Sequence, residues 1–375
     1  MLGIAAFVLV AAAWFVGTYQ GEIDITPKLH EAISGSSRIE PVGDRVFRVF
    51  TKKENEMLAG YLAVTSGHGF GGQLTVVVAT GLAGNITNVL LVDHRETAPI
   101  MKRVMDRGFL SSLQGKNYIE CFKIGEDLDG VTGATYTSRA LADAARRGVR
   151  KIASEVLSYK VLEEESPEVE FGKEEIVLIA LFLFAFLGTR PWFKYKKTAR
   201  WICLGLALVL LGFMFNKPLT LIFVNKVLLG FWPAWQTHLY WYMMLVFVLL
   251  FIIVEGKNIY CDSVCPFGAA QETIGAIGGA KFKLPPLIHR MLRWLQKILA
   301  LLLVISALVT TNPTTFNYEV FGALFHFVGS NFLFILLGLV LVSSLLIKRP
   351  WCHYLCPIRP VTDLILTFRN WISRK

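Results

Sequence analysis

Two stretches of this 375-residue chain hold side chains whose types and spacing suit redox chemistry. One is a pair of Cys-x-x-x-Cys-Pro units, Cys261-Asp-Ser-Val-Cys265-Pro266 and Cys352-His-Tyr-Leu-Cys356-Pro357, which take four of the six cysteines. Four soft thiolates suit either zinc or an iron-sulfur cluster. A Cys, three residues and Cys-Pro form the tail of the bacterial ferredoxin run, which favours iron-sulfur, but the two upstream cysteines of that run are missing from both copies. Cys261, Cys265, Cys352 and Cys356 therefore suffice for one all-cysteine [4Fe-4S] cluster, or for two completed by other ligands. Zinc and an unfilled or redox dithiol site are the competing readings. Cys121 and Cys203 stand alone and read as small buried hydrophobes.

The other stretch is Asp129-Gly-Val-Thr-Gly-Ala-Thr-Tyr-Thr-Ser138. One reading is a Gly-bearing turn with Thr or Ser as the N-cap of a helix. The functional alternative is that the small residues around Thr135 leave its hydroxyl accessible, where free amides at a helix N-terminus hold a phosphate. Upstream, Gly67-His-Gly-Phe-Gly-Gly72 invites a dinucleotide reading, yet a strand follows it where a Rossmann loop requires a helix, so it reads as a turn. His68 reads as a loop residue rather than a ligand.

The elements that position these residues follow from periodicity. Gln73 to Thr80 and Thr87 to Asp93 are β-rich runs joined by Gly81-Leu-Ala-Gly-Asn85, a hairpin pattern. From Thr137 to Tyr159 the apolar residues Leu141, Ala144, Val149, Ile152 and Val156 approximate helical spacing. Pro167 and the acidic run Glu163 to Glu165 read as a linker. Residues 20–172 are thus expected to form an α+β domain between an N-terminal segment, 1–19, and a helical part, 173–375.

That helical part is apolar. Hydrophobic residues make up 54% of the chain and charged residues 18%, against about 25% charged in soluble proteins, which excludes disorder and a simple soluble enzyme. Runs at Met1 to Tyr19, Ile176 to Gly188, Trp201 to Phe215, Leu239 to Val254, Trp294 to Thr310 and Asn331 to Ile347 give six candidate transmembrane helices, the first read as an uncleaved anchor and the second short for a ~30 Å core. Residues 1–172 hold 18 Lys and Arg against 21 Asp and Glu, and residues 173–375 hold 20 against 7. A basic excess confined to the apolar half points to cytoplasmic loops, not to nucleic acid. Seventeen of those 20 basic residues fall in 189–200, 255–297 and 348–375. The positive-inside rule then places both cysteine motifs and both termini in the cytoplasm and residues 20–172 outside. The outer segment Asn216 to His238, with Phe231, Trp232 and Trp235, reads as interfacial or re-entrant. A short internal match, Arg190-Pro-Trp-Phe-Lys-Tyr195 with Arg349-Pro-Trp-Cys-His-Tyr354, suggests that three outside-to-inside helices end in related segments, the first without thiols.

Asp129-x-x-Thr132-Gly133-Ala134-Thr135 resembles the flavinylation motif of the FMN-binding domains of sodium-pumping quinone reductase and Rnf-type complexes. The resemblance implies that a flavin transferase joins FMN through its phosphate to Thr135, and that the glycine-rich turn and His94-Arg-Glu96-Thr97 line the isoalloxazine pocket. With the two cysteine motifs and the helical part, nearly the entire chain resembles the NosR family and its shorter relatives, the C-type membrane flavoproteins that accompany reductive dehalogenases. The chain ends without a ferredoxin-like tail, which is expected to favour the second type. The resemblance implies electron transfer in anaerobic respiration, between a quinol or cytoplasmic donor and an exoplasmic reductase such as a reductive dehalogenase. Menaquinone is the favoured carrier across the membrane lipid, with His238 and His326 as candidate contacts for a quinol or heme and solvation as their ordinary reading. A maturation or regulatory factor for such a reductase is the alternative.

Overall fold

The computed structural model describes residues 2–19, 26–33, 36–51, 57–160, 169 and 171–373. The acidic run Glu163 to Glu165 and Pro167, expected as a linker, lie outside them. The chain divides into two compact units, one of residues 1–15, 167–309 and 316–375, the other of residues 16–166 and 310–315.

The second unit is built on an antiparallel meander of five strands in sequence order, β1 (Ser36–Gly43), β2 (Val46–Thr51), β3 (Leu58–His68), β4 (Gln73–Thr80) and β5 (Ile86–His94). The expected hairpin is β4 and β5, paired from Leu74 with His94 to Thr80 with Ile86. Strand β4 shows why its sequence lacks polar alternation: Leu74, Val76 and Val78 pack with Leu141, Ala144 and Val149 of the helix Thr135–Glu155, while Val77 and Ala79 pack with Leu29 and Ala32 of the helix Thr26–Ala32. A strand covered on both faces reads as a continuous apolar run. The long helix lies against β3, where Thr65 Oγ1 donates to the Ala144 carbonyl at 2.7 Å.

The other unit is helical. All six apolar runs lie in helices: Leu2–Tyr19, Lys173–Thr189, Lys196–Leu206 continuing as π-helical turns over Ala207–Met214, Leu239–Glu255, Pro286–Val309 and Asn331–Ser344. Two of them, Lys196–Met214 and Pro286–Val309, are long and apolar enough to cross a membrane by length and composition. The segment read as interfacial or re-entrant contains a helix, Leu221–Leu229, whose Phe223 stacks on Trp241; Trp232 and Trp235 are exposed. Ring contacts among Phe182, Phe247, Phe251 and Tyr260 join two of these helices, Lys173–Thr189 and Leu239–Glu255, to the π-helical turn Tyr260–Val264. The internal match is not reproduced in structure. Pro350–Tyr354 is a helix with Trp351 fully buried, whereas Trp192 is 70% exposed in a turn. The difference follows from partners: Trp351 meets Phe267, Phe321 and Tyr318 edge-on, and Arg190 lies over Phe186 and pairs with Glu255.

Candidate functional site

The helix Thr135–Glu155 begins on the residue the flavinylation motif singles out, two residues before the expected start at Thr137. Gly133 takes φ +78°, the left-handed region that favours glycine, and turns the chain into the helix. The turn is closed from inside: Ala134 N donates to Val131 O at 2.9 Å and Val131 N to Ser138 Oγ at 3.2 Å. Ala134 is buried and occupies the N-cap position, so no side chain caps the first turn among the described residues. Thr135 is exposed. Its hydroxyl therefore stands at the positive end of the helix dipole, where phosphate oxygens are favoured.

Glu96 is only 2% exposed and accepts two hydrogen bonds, from Gly71 N to Oε2 at 2.9 Å and from Thr137 Oγ1 to Oε1 at 2.9 Å. It ties the glycine turn after β3 to the first turn of the helix behind Thr135. A Cβ on Gly71 would lie 2.4 Å from the Arg95 carbonyl, so the turn and the Glu96 segment are in close contact. Thr97 is the N-cap of the helix Ala98–Asp106, with extended backbone and no capping bond from its side chain.

A cavity of about 520 Å³ opens beside the motif, with Arg103, Arg107, Phe109 and Ser112 on its wall together with Asp129, Gly130, Val131 and Thr132. Its volume falls in the range of small-molecule sites. Gly133 seats one guanidinium: a Cβ there would come within 2.5 Å of Arg103 Nη1. The structure thus brings Asp129, Thr132 and Gly133 together with two arginines that were not foreseen, while Glu96, Thr97 and Thr135 do not line the cavity. The donor chemistry fits a phosphate-bearing ligand, with an exposed hydroxyl at an uncapped helix start and guanidinium groups suited to an anion. His68 is exposed at the end of β3. Cys121 is exposed, contrary to the expected buried position, because it lies in the polar turn beside Glu120; Cys203 is buried.

In the helical unit, Cys261 lies in the π-helical turn Tyr260–Val264, Cys265 caps the helix Pro266–Ile277, Cys352 lies in Pro350–Tyr354, and Cys356 follows it. All four are free thiols. Among the described residues no three His, Cys, Asp or Glu stand close enough to hold a metal ion. The four thiols are nonetheless electrostatic neighbours. Burial raises the pKa of each, Cys352 to about 12, and Cys356 is raised further by Cys352, Cys261 and Cys265. Four free thiols, two buried and two partly buried, are soft donors of the kind an iron-sulfur centre takes.

Neighbouring groups hold the pairs. Gly268 N donates to Cys265 Sγ at 3.4 Å and Gln271 Nε2 to Cys352 Sγ at 3.2 Å. Gln271 Oε1 accepts from Trp351 N at 2.9 Å, and Gln296 Nε2 donates to the carbonyls of Cys352 and Cys356 at 3.2 and 2.9 Å. Arg349 Nη1 reaches the Cys261 carbonyl at 2.7 Å. Gln271 and Gln296 carry no mark in the sequence reading, although lone glutamines inside helices are a legible signal, and Arg349 and Trp351 enter it only through the internal match. His238 precedes the helix Leu239–Glu255 with Nδ1 2.9 Å from Thr237 Oγ1, and His326 ends the helix Phe321–Phe325.

Parts of the chain match two known family models. Residues 69–150 match the family model of the FMN-binding domain, and residues 237–285 and 331–375 match that of a 4Fe-4S binding domain. Protein NirI of Paracoccus denitrificans is 29% identical over 53% of this chain and 32% of its own length. Regulatory protein NosR of Pseudomonas aeruginosa is 24% identical over 53% of this chain and 30% of its own. A component of the ion-translocating oxidoreductase complex of Salmonella typhi is 27% identical over 28% of this chain and 56% of its own. The chain thus spans about a third of the length of the first two relatives.

Proposed function

Starting from a chain that is a NosR-like flavoprotein, with an FMN-binding domain and a 4Fe-4S binding domain, we propose that it is a membrane-bound electron-transfer component serving an exoplasmic respiratory reductase, a reductive dehalogenase or one similar. Electrons come from the quinone pool, menaquinol in the first place, or from a cytoplasmic donor. The observation that carries this reading is the presence in one chain of an exposed Thr135 at an uncapped helix start and of four free thiols, Cys265 and Cys356 buried and Cys261 and Cys352 partly buried, in two motifs tied together by Arg349 and Gln271.

When bound, FMN supplies one- or two-electron exchange and an iron-sulfur cluster supplies one-electron exchange. The protein's own part is positional. Thr135 offers the hydroxyl to which a flavin transferase attaches the FMN phosphate, Gly133 and Ala134 keep its approach clear, and Asp129 and Thr132 contribute to the adjoining cavity. Glu96 fixes the glycine turn against the helix start, and Thr97 begins the next helix. Cys261, Cys265, Cys352 and Cys356 would hold one cluster. Six helices span the cytoplasmic membrane, residues 20–172 lie outside, and the termini and cysteine motifs lie in the cytoplasm; the excess of Lys and Arg in 189–200, 255–297 and 348–375 supports this orientation.

The test is a denaturing gel of the chain coexpressed with a flavin transferase. A fluorescent flavin band is expected at the mass of the chain and should vanish in Thr135→Ala; a band of undiminished intensity in the variant refutes the attachment. The relative NosR is by name a regulatory protein, which favours a second reading, a maturation or regulatory factor. A partner reductase made without this chain would then lack its cofactors, whereas under electron transfer it would be complete but unreduced.

A further inference from the structure

Beside the four thiols lies a chain of three charges that the electron-transfer reading leaves without a role. Arg349 precedes the second cysteine motif in a left-handed backbone conformation, φ +48°, and its guanidinium turns to the first motif. Nη1 donates to the Cys261 carbonyl at 2.7 Å and Nη2 to the Asp262 carbonyl at 3.1 Å. Arg349 also pairs with Glu272, which takes both terminal nitrogens of Arg200 at 2.6 and 2.7 Å. The side chains are 10%, 23% and 38% exposed in the order Arg349, Glu272, Arg200, so exposure rises along the row, while Arg200 Nη2 also reaches the Asp262 carbonyl at 3.3 Å. Burial works against the Glu272 charge, but the two guanidiniums outweigh it and hold its carboxyl below the usual range. A carboxylate thus stands between two guanidiniums, and the charge at the inner end of the row, that of Arg349, is positive.

We propose that Arg349 sets the reduction potential of the cysteine-held centre and that Glu272 limits how far Arg349 raises it. The inference rests on the reading that Cys261, Cys265, Cys352 and Cys356 hold an iron-sulfur cluster. Reduction adds one electron to such a centre, and a buried cation nearby favours the more negative state; net charge and hydrogen bonding at the sulfurs are the levers a protein has over this potential. Arg349 is buried and fixed by its hydrogen bonds to the Cys261 and Asp262 carbonyls, so its charge stands beside the first cysteine motif with little solvent to screen it.

The experiment is an EPR-monitored redox titration of the full chain, purified anaerobically with its iron counted, against Arg349→Gln, Arg349→Lys, Glu272→Gln and Arg200→Gln. Arg349→Gln is expected to lower the midpoint by at least a tenfold change in the equilibrium, about 59 mV for a one-electron couple. Glu272→Gln should raise it, Arg349→Lys should stay nearer the parent, and Arg200→Gln should shift it least and lose that shift at high salt. A purely structural role would move the arginine and glutamate variants in the same direction. Shifts of one sign, or none, in proteins with parental iron and line shape overturn the proposal. Should Arg349→Gln lose its iron, the sign of the Glu272→Gln shift decides alone. A parent chain without iron would refute the cluster reading, and the inference with it.

Discussion

Replacing Glu96 with alanine removes the acceptor of two buried donors at once, Gly71 N and Thr137 Oγ1. A buried donor left unsatisfied costs about 1–3 kcal/mol, so the contact between the glycine turn and the helix start should weaken by roughly 2–6 kcal/mol. Glu96→Gln keeps one acceptor oxygen but sets an amide N–H against the other donor, and should cost about half as much. Since 1.4 kcal/mol is a factor of ten, amide exchange in peptides covering 69–72 and 135–140 should accelerate about 30-fold or more in Glu96→Ala, unless exchange there already proceeds by global unfolding. Hydrogen exchange followed by mass spectrometry on the full chain reads both segments. Thr137→Val removes one of the same two bonds, so the double variant Glu96→Ala, Thr137→Val should cost less than the sum of the single ones. The flavin band should also fall in Glu96→Ala although Thr135 is intact. Unchanged exchange in both peptides, or strict additivity, would refute the link.

Other outcomes follow from the helical unit. Anaerobically purified chain should hold about four iron, and Cys265→Ser and Cys356→Ser should each lose most of it; retention of half by each would mean two independent sites. An impermeant maleimide applied to intact cells should label an introduced cysteine at Asn85 and not one at Gly256, and the reverse pattern would invert the orientation. Burial pushes the Glu319 carboxyl up to about 8 against the bond from Leu221 N, and its Oε2 has no hydrogen-bond partner among the described residues. The folded chain then holds a proton that the unfolded chain has released, so stability should fall as pH rises from about 4.5 to about 8 and level off above that. Glu319→Gln should remove its share of this slope, which thermal unfolding at a series of pH values would measure; a slope of undiminished size in the variant counts against a proton on Glu319.

How far the sequence reaches is seen in the contrast between Thr135 and Arg103. Thr135 belongs to a local pattern, small residues ahead of helical spacing, and the helix starts there because Gly133 and Ser138 close the turn within a few residues. Arg103 comes to the same place from another helix, and no spacing within either segment announces it. The cysteine motifs show the same limit. Their types and proline endings are local, but Gln271, Gln296 and Arg349 reach them across 56 to 88 residues of chain. Apolar runs were legible as helices because burial and helix formation ask for the same residues. Strands β1, β2 and β3 are absent from the sequence reading, although Val46-Phe-Arg-Val-Phe-Thr51 after Gly43-Asp44 carries the same kind of β-rich run and turn signal as β4 and β5. The repeat misled because Arg-Pro-Trp describes a helix boundary in both places, while only Trp351 has aromatic partners around it.

Gln271 and Gln296, buried in two different helices, join the backbone of the second cysteine motif to the surroundings of the first entirely through protein atoms. Small metal domains commonly fold only as the ion binds, so that chelation denatures them. Here the amide of Trp351 and the carbonyls of Cys352 and Cys356 are already anchored by side chains that are not ligands. The scaffold is then expected to fold before metal enters it. Stripping the iron should leave an empty but folded chain that can be reloaded, and a cell short of iron would accumulate a repairable protein rather than a misfolded one.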